Sequence, residues 1–451
     1  MLETKEDCAR FLSENIEGDW IVHVVPIEDM EHPSNTRPSI IFIRNISTRK
    51  TYYYAYDHPD SSPNLDTEWV TQEVLAQPSK IKWALDKKTF CQIFRLPKVY
   101  DANLCGFFKT NETEEFSEFE TSAHNLIRKN VFGKKQLNKV IPLMKHLESF
   151  NDMCDSLEKM IKNADIDTAF LKINDIVLET LGEIESNGIF VNRDLFEKRF
   201  GQTPNVNGYV FSKYNIYTST GRPSNAFNGV NYAALNKTDG TRECFCSRYG
   251  KDGRLVLIDY TAFHPRIICD LTNYPLSIDA DIYSYLAKLF YYKKEVDETD
   301  ISNAKDLTFR QLYGGIEEKY AHIKYFANLK NYINEQWEFF QKNGYVVTPF
   351  FKRKITNKHI QDPNPNKLFN YLLQASEGEV AIPNIQSVLH YLRGKQTKAI
   401  LYTYDSVLYD FHHSDGVDTL NEIQRIMSSK GHFSMKTYIG ETYQNLRLVD
   451  N

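Results

Sequence analysis

The stretch RLVLIDYTAFHPRIICDL, residues 254–271, joins a predicted buried strand to a predicted helix. Leu255 to Ile258 form a continuous apolar run, which is typical of a strand buried on both faces. Asp259 follows at the strand end, where a carboxylate is exposed but rigidly held. An aspartate in such a place is often only a turn former or a helix cap. The stretch therefore makes Asp259 a candidate ligand that needs a partner.

A second stretch, KAILYTYDSVLYDF at residues 398–411, supplies that partner. Two apolar runs flank Tyr404-Asp405-Ser406, which predicts a hairpin whose turn presents Asp405. Two divalent cations about 3.5 to 4 Å apart need carboxylates on rigid elements to clamp the attacking and leaving oxygens of an in-line displacement. Asp259 and Asp405 together predict such a two-metal site.

A third stretch, ISNAKDLTFRQLYGGIEEKY at residues 301–320, predicts a helix with one distinctive face. Lys305, Phe309 and Tyr313 are spaced at i, i+4 and i+8, and Gly314-Gly315 closes the helix. A nucleoside triphosphate needs a cation for its phosphates and an aromatic surface for its sugar and base. An amphipathic core helix is the alternative, and the two aspartates favour the nucleotide site.

The order and spacing of these stretches resemble the motifs of the DNA polymerase I (A) family over most of residues 173–415. The first motif is usually D-Y-S-Q-I-E-L-R, and DYTAFHPR here carries His264 in place of the glutamate. The second is R-x-x-x-K-x-x-x-F-x-x-x-Y-G, matched here except that Ile301 replaces the leading arginine. The third is H-D-E, of which only Asp405 remains. The resemblance implies a DNA polymerase that uses two Mg²⁺ ions, with Mn²⁺ as an alternative.

Shorter segments add to the resemblance in the same order along the chain. Residues 220–224, TGRPS, are similar to the family's T-G-R-L-S, and Asn370 with Gln374 is similar to its N-x-x-x-Q. Three further segments resemble M-E-x-x-G-I-x-V-D, D-I-H and T-x-x-G-R-R-R, at residues 182–196, 281–283 and 348–354. So many matches in one order make coincidence a poor explanation.

The resemblance implies a role for each matched residue. The residues implied to be catalytic are Asp259, Asp405 and Lys305, and those implied at the metals are Asp259, Asp405 and Tyr260. The residues implied to contact the nucleotide are Tyr260, His264, Lys305, Phe309 and Tyr313. Those implied to contact primer or template are Arg222, Gly314, Asn370, Gln374, Tyr404 and Ser406. The family's glutamate blocks a ribose 2′-hydroxyl, so His264 leaves the exclusion of ribonucleotides open.

The expected fold is α/β (α+β), a right-hand polymerase with palm, fingers and helical thumb, preceded by an RNase H-like exonuclease-type domain. The expected boundaries are an exonuclease-like domain at 1–120, thumb at 121–205, palm at 206–282, fingers at 283–355, and the rest of the palm at 356–451. Independently of the resemblance, alternating residues predict strands from Trp20 to about Tyr100. Apolar spacing predicts long helices on both sides of a basic segment near residue 130, and Asn187-Gly188 marks a domain start.

The front domain is expected to lack proofreading activity. The family's exonuclease uses D-x-E on its first strand, where this chain has Pro26-Ile27-Glu28, and Asp86 lacks the usual preceding asparagine. One remaining carboxylate leaves ligand positions for hard cations unfilled. Beyond this domain, five basic residues could grip duplex phosphates or simply form a solvated surface: Arg128, Lys129, Lys134, Lys135 and Lys139.

Composition narrows the class of protein. A chain of 451 residues holds several domains at roughly 100 to 200 residues each. The net charge of −5 does not decide nucleic-acid binding, because local patches bind phosphates. Seven scattered cysteines favour a reducing compartment, and the C-x-C pair at Cys244 lacks a second pair for zinc. Without a long apolar run or a signal segment, the expected location is the cytoplasm, that of a host cell if phage-encoded, with no membrane partner.

The expected partners are primer-template DNA and deoxynucleoside triphosphates, with replication accessory proteins as further candidates. One alternative is a single-subunit polymerase or primase-like enzyme that accepts ribonucleotides, suggested by His264 and the altered third motif. Another is a nucleic-acid-binding remnant without catalysis, suggested by Ile301 and the altered front domain. The T-G-R segment and the exonuclease-like front domain count against the first, and the retained aspartates and Lys305 count against the second.

Overall fold

The computed structural model describes residues 1–27, 32–61, 65–78, 80–94, 96, 98–110, 124–128, 136–162, 164–205, 207–225, 230–277 and 279–449. The chain divides into two compact units, Met1–Ser186 and Asn187–Asn451. The division falls beside the Asn187-Gly188 pair, where the sequence predicts a domain start. Gly188 has a φ of 60°, a left-handed conformation that favours glycine and ends the preceding helix.

The first unit is built on a five-stranded sheet. Its strands are β1 (Trp20–Pro26), β2 (Pro38–Asn45), β3 (Thr51–Ala55), β4 (Lys82–Ala84) and β5 (Val99–Asp101), in the order β3-β2-β1-β4-β5. The β3-β2-β1 pairs are antiparallel, and the β1-β4-β5 pairs are parallel. This confirms the strands predicted between Trp20 and Tyr100 and gives a sheet of mixed parallel and antiparallel strands.

Helices surround this sheet. They are α1 (Lys5–Glu14), α2 (Thr67–Val70), α3 (Lys87–Ile93), α4 (Ala102–Thr110), α5 (Leu143–Ile161), α6 (Thr168–Lys172) and α7 (Leu178–Asn187), with π-helical turns at Thr71–Leu75 and Ile173–Val177. Asp86 caps α3, because its carboxylate accepts the Thr89 amide at 3.1 Å and the Thr89 hydroxyl at 2.7 Å. Glu28 lies outside the described residues.

The region before α5 differs from the sequence prediction. Strands β6 (His124–Arg128) and β7 (Gln136–Val140) form an antiparallel pair where a helix was predicted. Five residues make a marginal helix, whereas two facing segments satisfy their backbone groups across the pair. The sequence predicts helices on both sides of the basic segment. This prediction is wrong for the region of β6 and β7 and is confirmed for α5, which follows the basic segment. Arg128 and Lys139 lie on these strands, and the three lysines between them lie outside the described residues.

The second unit contains a five-stranded antiparallel sheet in the order β13-β14-β10-β15-β16. The described strands of the whole second unit are β8 (Ile189–Phe190), β9 (Tyr209–Val210), β10 (Gly253–Tyr260), β11 (Tyr345–Val347), β12 (Lys354–Thr356), β13 (Lys398–Tyr402), β14 (Ser406–His412), β15 (Met435–Gly440) and β16 (Arg447–Val449). The pairs β8-β9 and β11-β12 stand apart from this sheet. The central strand is β10, and Leu255, Val256 and Ile258 on it are fully buried, as the apolar run predicts.

The helices of the second unit are α8 (Arg193–Phe200), α9 (Phe263–Leu271), α10 (Ile282–Tyr291), α11 (Glu298–Gly314), α12 (Lys324–Asn343), α13 (Pro365–Tyr391) and α14 (Val417–Met427). A capping box of Asp297 and Asp300 starts α11. Gly315 follows α11 with a φ of 101°, and a Cβ there would lie 2.6 Å from the Asn366 amide. The long α13 contacts α9, α11, α12 and α14. Among the described helices, none is long and apolar enough to cross a membrane.

Candidate active site

Asp259 and Asp405 come together at one end of the central strands. Asp259 is the penultimate residue of β10 and pairs with Ser406 of β14. The Tyr260 amide donates to the Asp405 carbonyl at 2.8 Å. Asp405 lies in the tight turn between β13 and β14, and Tyr404 in this turn has a φ of 72°. The predicted hairpin is confirmed, and its turn presents Asp405 beside the end of β10.

The electrostatics of this pair favour a bound cation. Burial and then the neighbouring Asp405 raise the pKa of Asp259 to about 7, although Lys237, Lys436 and Lys305 act in the opposite direction. Asp405 is open to solvent, yet desolvation by surrounding protein atoms and then the charge of Glu377 raise its pKa as well. Two crowded carboxylates that repel each other are stabilised by protons or by divalent cations.

The donor set also fits Mg²⁺. In the part of the chain that the structure describes, no three His, Cys, Asp or Glu side chains converge as a closed metal site. A closed site is not needed here, because Mg²⁺ is commonly held by one or two carboxylates together with water and substrate phosphates. Asp259 and Asp405 would supply those carboxylates.

We expect the Asp259 carboxyl to make the stability of the chain depend on pH. Its folded pKa of about 7 lies above its ordinary value of 3.8, so its stabilising contribution is present below about pH 4 and is lost as the pH rises through 7. Asp259→Asn should therefore raise the free energy of unfolding at pH 8 by about 1 to 3 kcal/mol and leave it nearly unchanged near pH 4. Urea denaturation at the two pH values measures the difference.

The exposed Asp418 on α14 is the control for this prediction, since Asp418→Asn removes a carboxylate that has solvent around it. Mg²⁺ at pH 8 should stabilise the wild-type chain more than the Asp259→Asn chain. An Asp259→Asn chain with the same pH dependence as wild type would contradict the raised pKa.

Glu377 on α13 is part of this site, and the sequence interpretation missed it. Its carboxylate is 3% exposed, and its Oε2 accepts the Nε of Arg222 at 2.6 Å and faces the Nη2 of Arg222 at 2.5 Å. The Arg222 guanidinium lies 4.2 Å from the centre of the Tyr404 ring. Asn370, Gln374 and Glu377 follow each other at i, i+4 and i+7, so helical spacing alone places Glu377 on the face already identified.

His264 and Tyr313 are in direct contact. The Nδ1 of His264 lies 2.5 Å from the Tyr313 hydroxyl oxygen. The imidazole is 7% exposed, and its Nε2 lies 3.4 Å from Oε1 of Glu377. The sequence therefore identified His264 and Tyr313, which are in contact. It did not identify Glu377, which contacts His264 from α13, more than 60 positions further along the chain than Tyr313.

The predicted face of α11 is present. The rings of Phe309 and Tyr313 are parallel, with centres 5.9 Å apart and planes 2° apart. Lys305 is exposed, and its ammonium lies 5.9 Å from the centre of the Tyr283 ring. Tyr313 is 38% exposed. One helix face thus offers a cation and two stacked rings.

The other predicted residues occupy nearby positions. The Asn370 amide donates to the Tyr313 carbonyl at 3.4 Å, and Gln374 is half-buried one turn further along α13. Gly314 is the last residue of α11, and a Cβ there would meet nothing within 4 Å. Ser406 is buried, with its hydroxyl 2.6 Å from that of Thr403. Their contacts with primer or template remain predictions.

The side chain of Tyr260 lies in the core. This limits the prediction that Tyr260 contacts the metals and the nucleotide. Its hydroxyl donates to the Met427 carbonyl at 2.7 Å, and its ring stacks on Phe263 with centres 3.9 Å apart. Alternation along β10 turns this side chain away from the face that carries Asp259. Any contact of Tyr260 with a metal or nucleotide would have to come from its main chain.

Two arginines of the family-like segments have structural contacts. Arg266 donates to the carbonyls of Ser277, at 2.7 Å, and Ala280, and so holds the turn before α10. The buried Arg353 donates to the Ser219 carbonyl at 3.2 Å. A Cβ on Gly221, whose φ is 73°, would lie 2.9 Å from the Arg353 guanidinium. The similar segments at 220–224 and 348–354 therefore meet, and glycine is needed where they touch.

Comparison with solved structures identifies the fold. The POL domain of Pol1 from M. smegmatis, solved in complex with DNA primer-template and dNTP, matches 99% of this chain and 99% of its own chain. The TM-score is 0.73 and the sequence identity is 15%. No family model matches the chain, and no curated protein sequence matches it. The chain has the mixed α+β fold of a polymerase domain, as the sequence predicts.

Proposed function

We propose that the chain is a template-directed DNA polymerase that adds deoxynucleotides to a primer 3′-hydroxyl. The observation that carries the proposal is the Asp259–Asp405 pair: burial and the neighbouring Asp405 raise the pKa of Asp259, burial and Glu377 raise the pKa of Asp405, and the charge of Lys305 reaches Asp259. The likeness to a polymerase domain that was solved with primer-template and dNTP supports the same substrates for this chain.

Two Mg²⁺ ions, or Mn²⁺ in their place, held by Asp259 and Asp405 would supply the charge that stabilises the attacking and leaving oxygens. The exposed Lys305 would neutralise the triphosphate as pyrophosphate leaves. The parallel rings of Phe309 and Tyr313 would form the surface on which sugar and base rest. Closure of α11 would exclude water and test the shape of the base pair before chemistry.

We also propose a compact, phage-like member of the DNA polymerase I (A) family, located in the cytoplasm, with an exonuclease-like front domain that does not proofread. Asp86 supports this part, because its carboxylate is occupied in capping α3. The palm, fingers and thumb are proposed at the boundaries given above. Replication accessory proteins remain candidate partners.

Extension of a labelled primer on a DNA template with Mg²⁺ tests the function. Deoxynucleotides and ribonucleotides are supplied separately to the wild-type chain and to Asp259→Asn. We expect extension with deoxynucleotides that the substitution abolishes. Equal use of ribonucleotides would favour the ribonucleotide-accepting enzyme, for which His264 in the gate position is the supporting observation. DNA binding without any extension would favour the non-catalytic remnant.

A further inference from the structure

The Glu377 carboxylate has two oxygens with different partners. Oε2 is used by Arg222, which places Nε at 2.6 Å and Nη2 at 2.5 Å from it. Oε1 faces the Nε2 of His264 at 3.4 Å. That imidazole nitrogen is buried and makes no hydrogen bond within the described residues. The Glu377 carboxylate therefore contacts the Arg222 guanidinium with one oxygen and faces the His264 imidazole with the other.

This arrangement assigns the proton of a neutral His264 ring. A lone pair on Nε2 would face a carboxylate oxygen inside the protein, where like-signed charge is poorly screened, so the proton belongs on Nε2. Nδ1 is then an acceptor, and the Tyr313 hydroxyl 2.5 Å away must donate to it. A phenol has a single proton. The proton of Tyr313 is thus engaged with His264 and unavailable to a ligand.

We propose that Glu377 is a positioning residue that favours deoxyribose at the site by keeping the Tyr313 proton engaged with His264. The proposal rests on the proposed function, in which the sugar lies against Tyr313. With its proton engaged, Tyr313 presents only lone pairs to the sugar: a ribose 2′-hydroxyl can donate to them, and deoxyribose leaves no donor of Tyr313 unpaired. A free phenolic proton covered by a bound deoxyribose would instead be left unpaired, whereas a ribose 2′-oxygen would accept it, and an unpaired donor is what such sites discriminate against.

Glu377→Gln tests the chain of contacts because glutamine has only one acceptor oxygen. The charged Arg222 should keep that oxygen, which turns the amide NH₂ toward Nε2 of His264. The imidazole proton then moves to Nδ1 and donates to Tyr313, whose own proton is released toward the sugar. We expect the preference for deoxyribose over ribose to fall by about five- to tenfold, the worth of one hydrogen bond.

The preference is measured as the ratio of dATP to ATP affinity for the chain on a template with a dideoxy-terminated primer, at about pH 8, where imidazoles are generally neutral. This binding ratio can be measured without nucleotide incorporation. A chain that binds nucleotides but fails to extend a primer would therefore overturn the proposed function, and the binding ratio would still test the role of Glu377. A wild-type chain that binds no nucleotide would overturn both. The same ratio from kcat/KM values should change in parallel.

Two further variants separate positioning from general damage. In a Tyr313→Phe background, Glu377→Gln should leave the ratio unchanged, because no phenolic proton remains to be released. Glu379→Gln removes the other buried glutamate of this turn of α13, which binds the amides of Phe350 and Phe351, and should also leave the ratio unchanged. An unchanged ratio in Glu377→Gln, or an equal fall in the Tyr313→Phe background, overturns the proposal.

If Glu377→Gln does not fold, the position of the His264 proton in the wild-type chain still tests the proposal. Nitrogen-15 NMR of labelled histidine, with His264→Gln used to assign the signal, should show the hydrogen of His264 on Nε2. A hydrogen on Nδ1 in the neutral ring overturns the proposal without any substitution at Glu377.

Discussion

Asp405→Asn is expected to lower the single-turnover rate of primer extension by at least about 10³-fold, or roughly 4 kcal/mol of transition-state stabilisation. Asparagine keeps the size of the side chain but removes one of the two carboxylates that would hold the metal ions. The loss should not come from unfolding, because Asp405 carries a charge that its surroundings disfavour, as its raised pKa shows. Extension rates and DNA affinity, measured by fluorescence anisotropy, are the two readouts.

DNA affinity separates the outcomes of this experiment. Asp405→Asn should keep or slightly increase the affinity for primer-template, because a negative charge is removed near the phosphates. Asp418→Asn, an exposed aspartate of the same unit, should leave both readouts unchanged. Extension by Asp405→Asn at close to the wild-type rate would rule out Asp405 as a metal ligand.

The main elements of the site could be predicted because each is encoded locally. The apolar run before Asp259 specifies a buried strand, and the paired runs around Asp405 specify a hairpin with a turn. The spacing of Lys305, Phe309 and Tyr313 specifies a helix face. None of these inferences depends on how distant segments pack, which is why the structure agrees with them.

What the sequence did not provide depends on contacts between distant segments. The contact of Glu377 with Arg222 joins residues 155 positions apart, and no local pattern encodes it. The core position of the Tyr260 side chain follows from packing against Phe263 and Met427. The β6-β7 pair is a case in which a local pattern gave a wrong prediction. Its two short segments have weak helical spacing, and pairing with each other stabilises them more than a short helix would.

The position of Lys305 decides how it can act. It makes no ion pair in the described ranges of the chain, and its ammonium lies near the Tyr283 ring, a contact that a phosphate could replace. It also lowers the pKa of Asp259, so its charge already reaches the carboxylate pair. A cation without a partner of opposite charge, beside a site for metal ions, is suited to the negative charge of a triphosphate.

Lys305→Ala is therefore expected to reduce kcat/KM for deoxynucleotides by about 10²-fold, roughly 3 kcal/mol, since the charge on the triphosphate increases in the transition state. Alanine is the best helix former, so α11 itself should persist. Arg310→Ala removes another exposed cation of α11, five residues beyond Lys305 and so not its neighbour on the helix surface, and should change kcat/KM little. Lys305→Arg should recover part of the loss, because the charge is kept. If Lys305→Ala and Arg310→Ala had the same small effect, Lys305 would be only a solvated surface charge, and the nucleotide would have to be held by other groups.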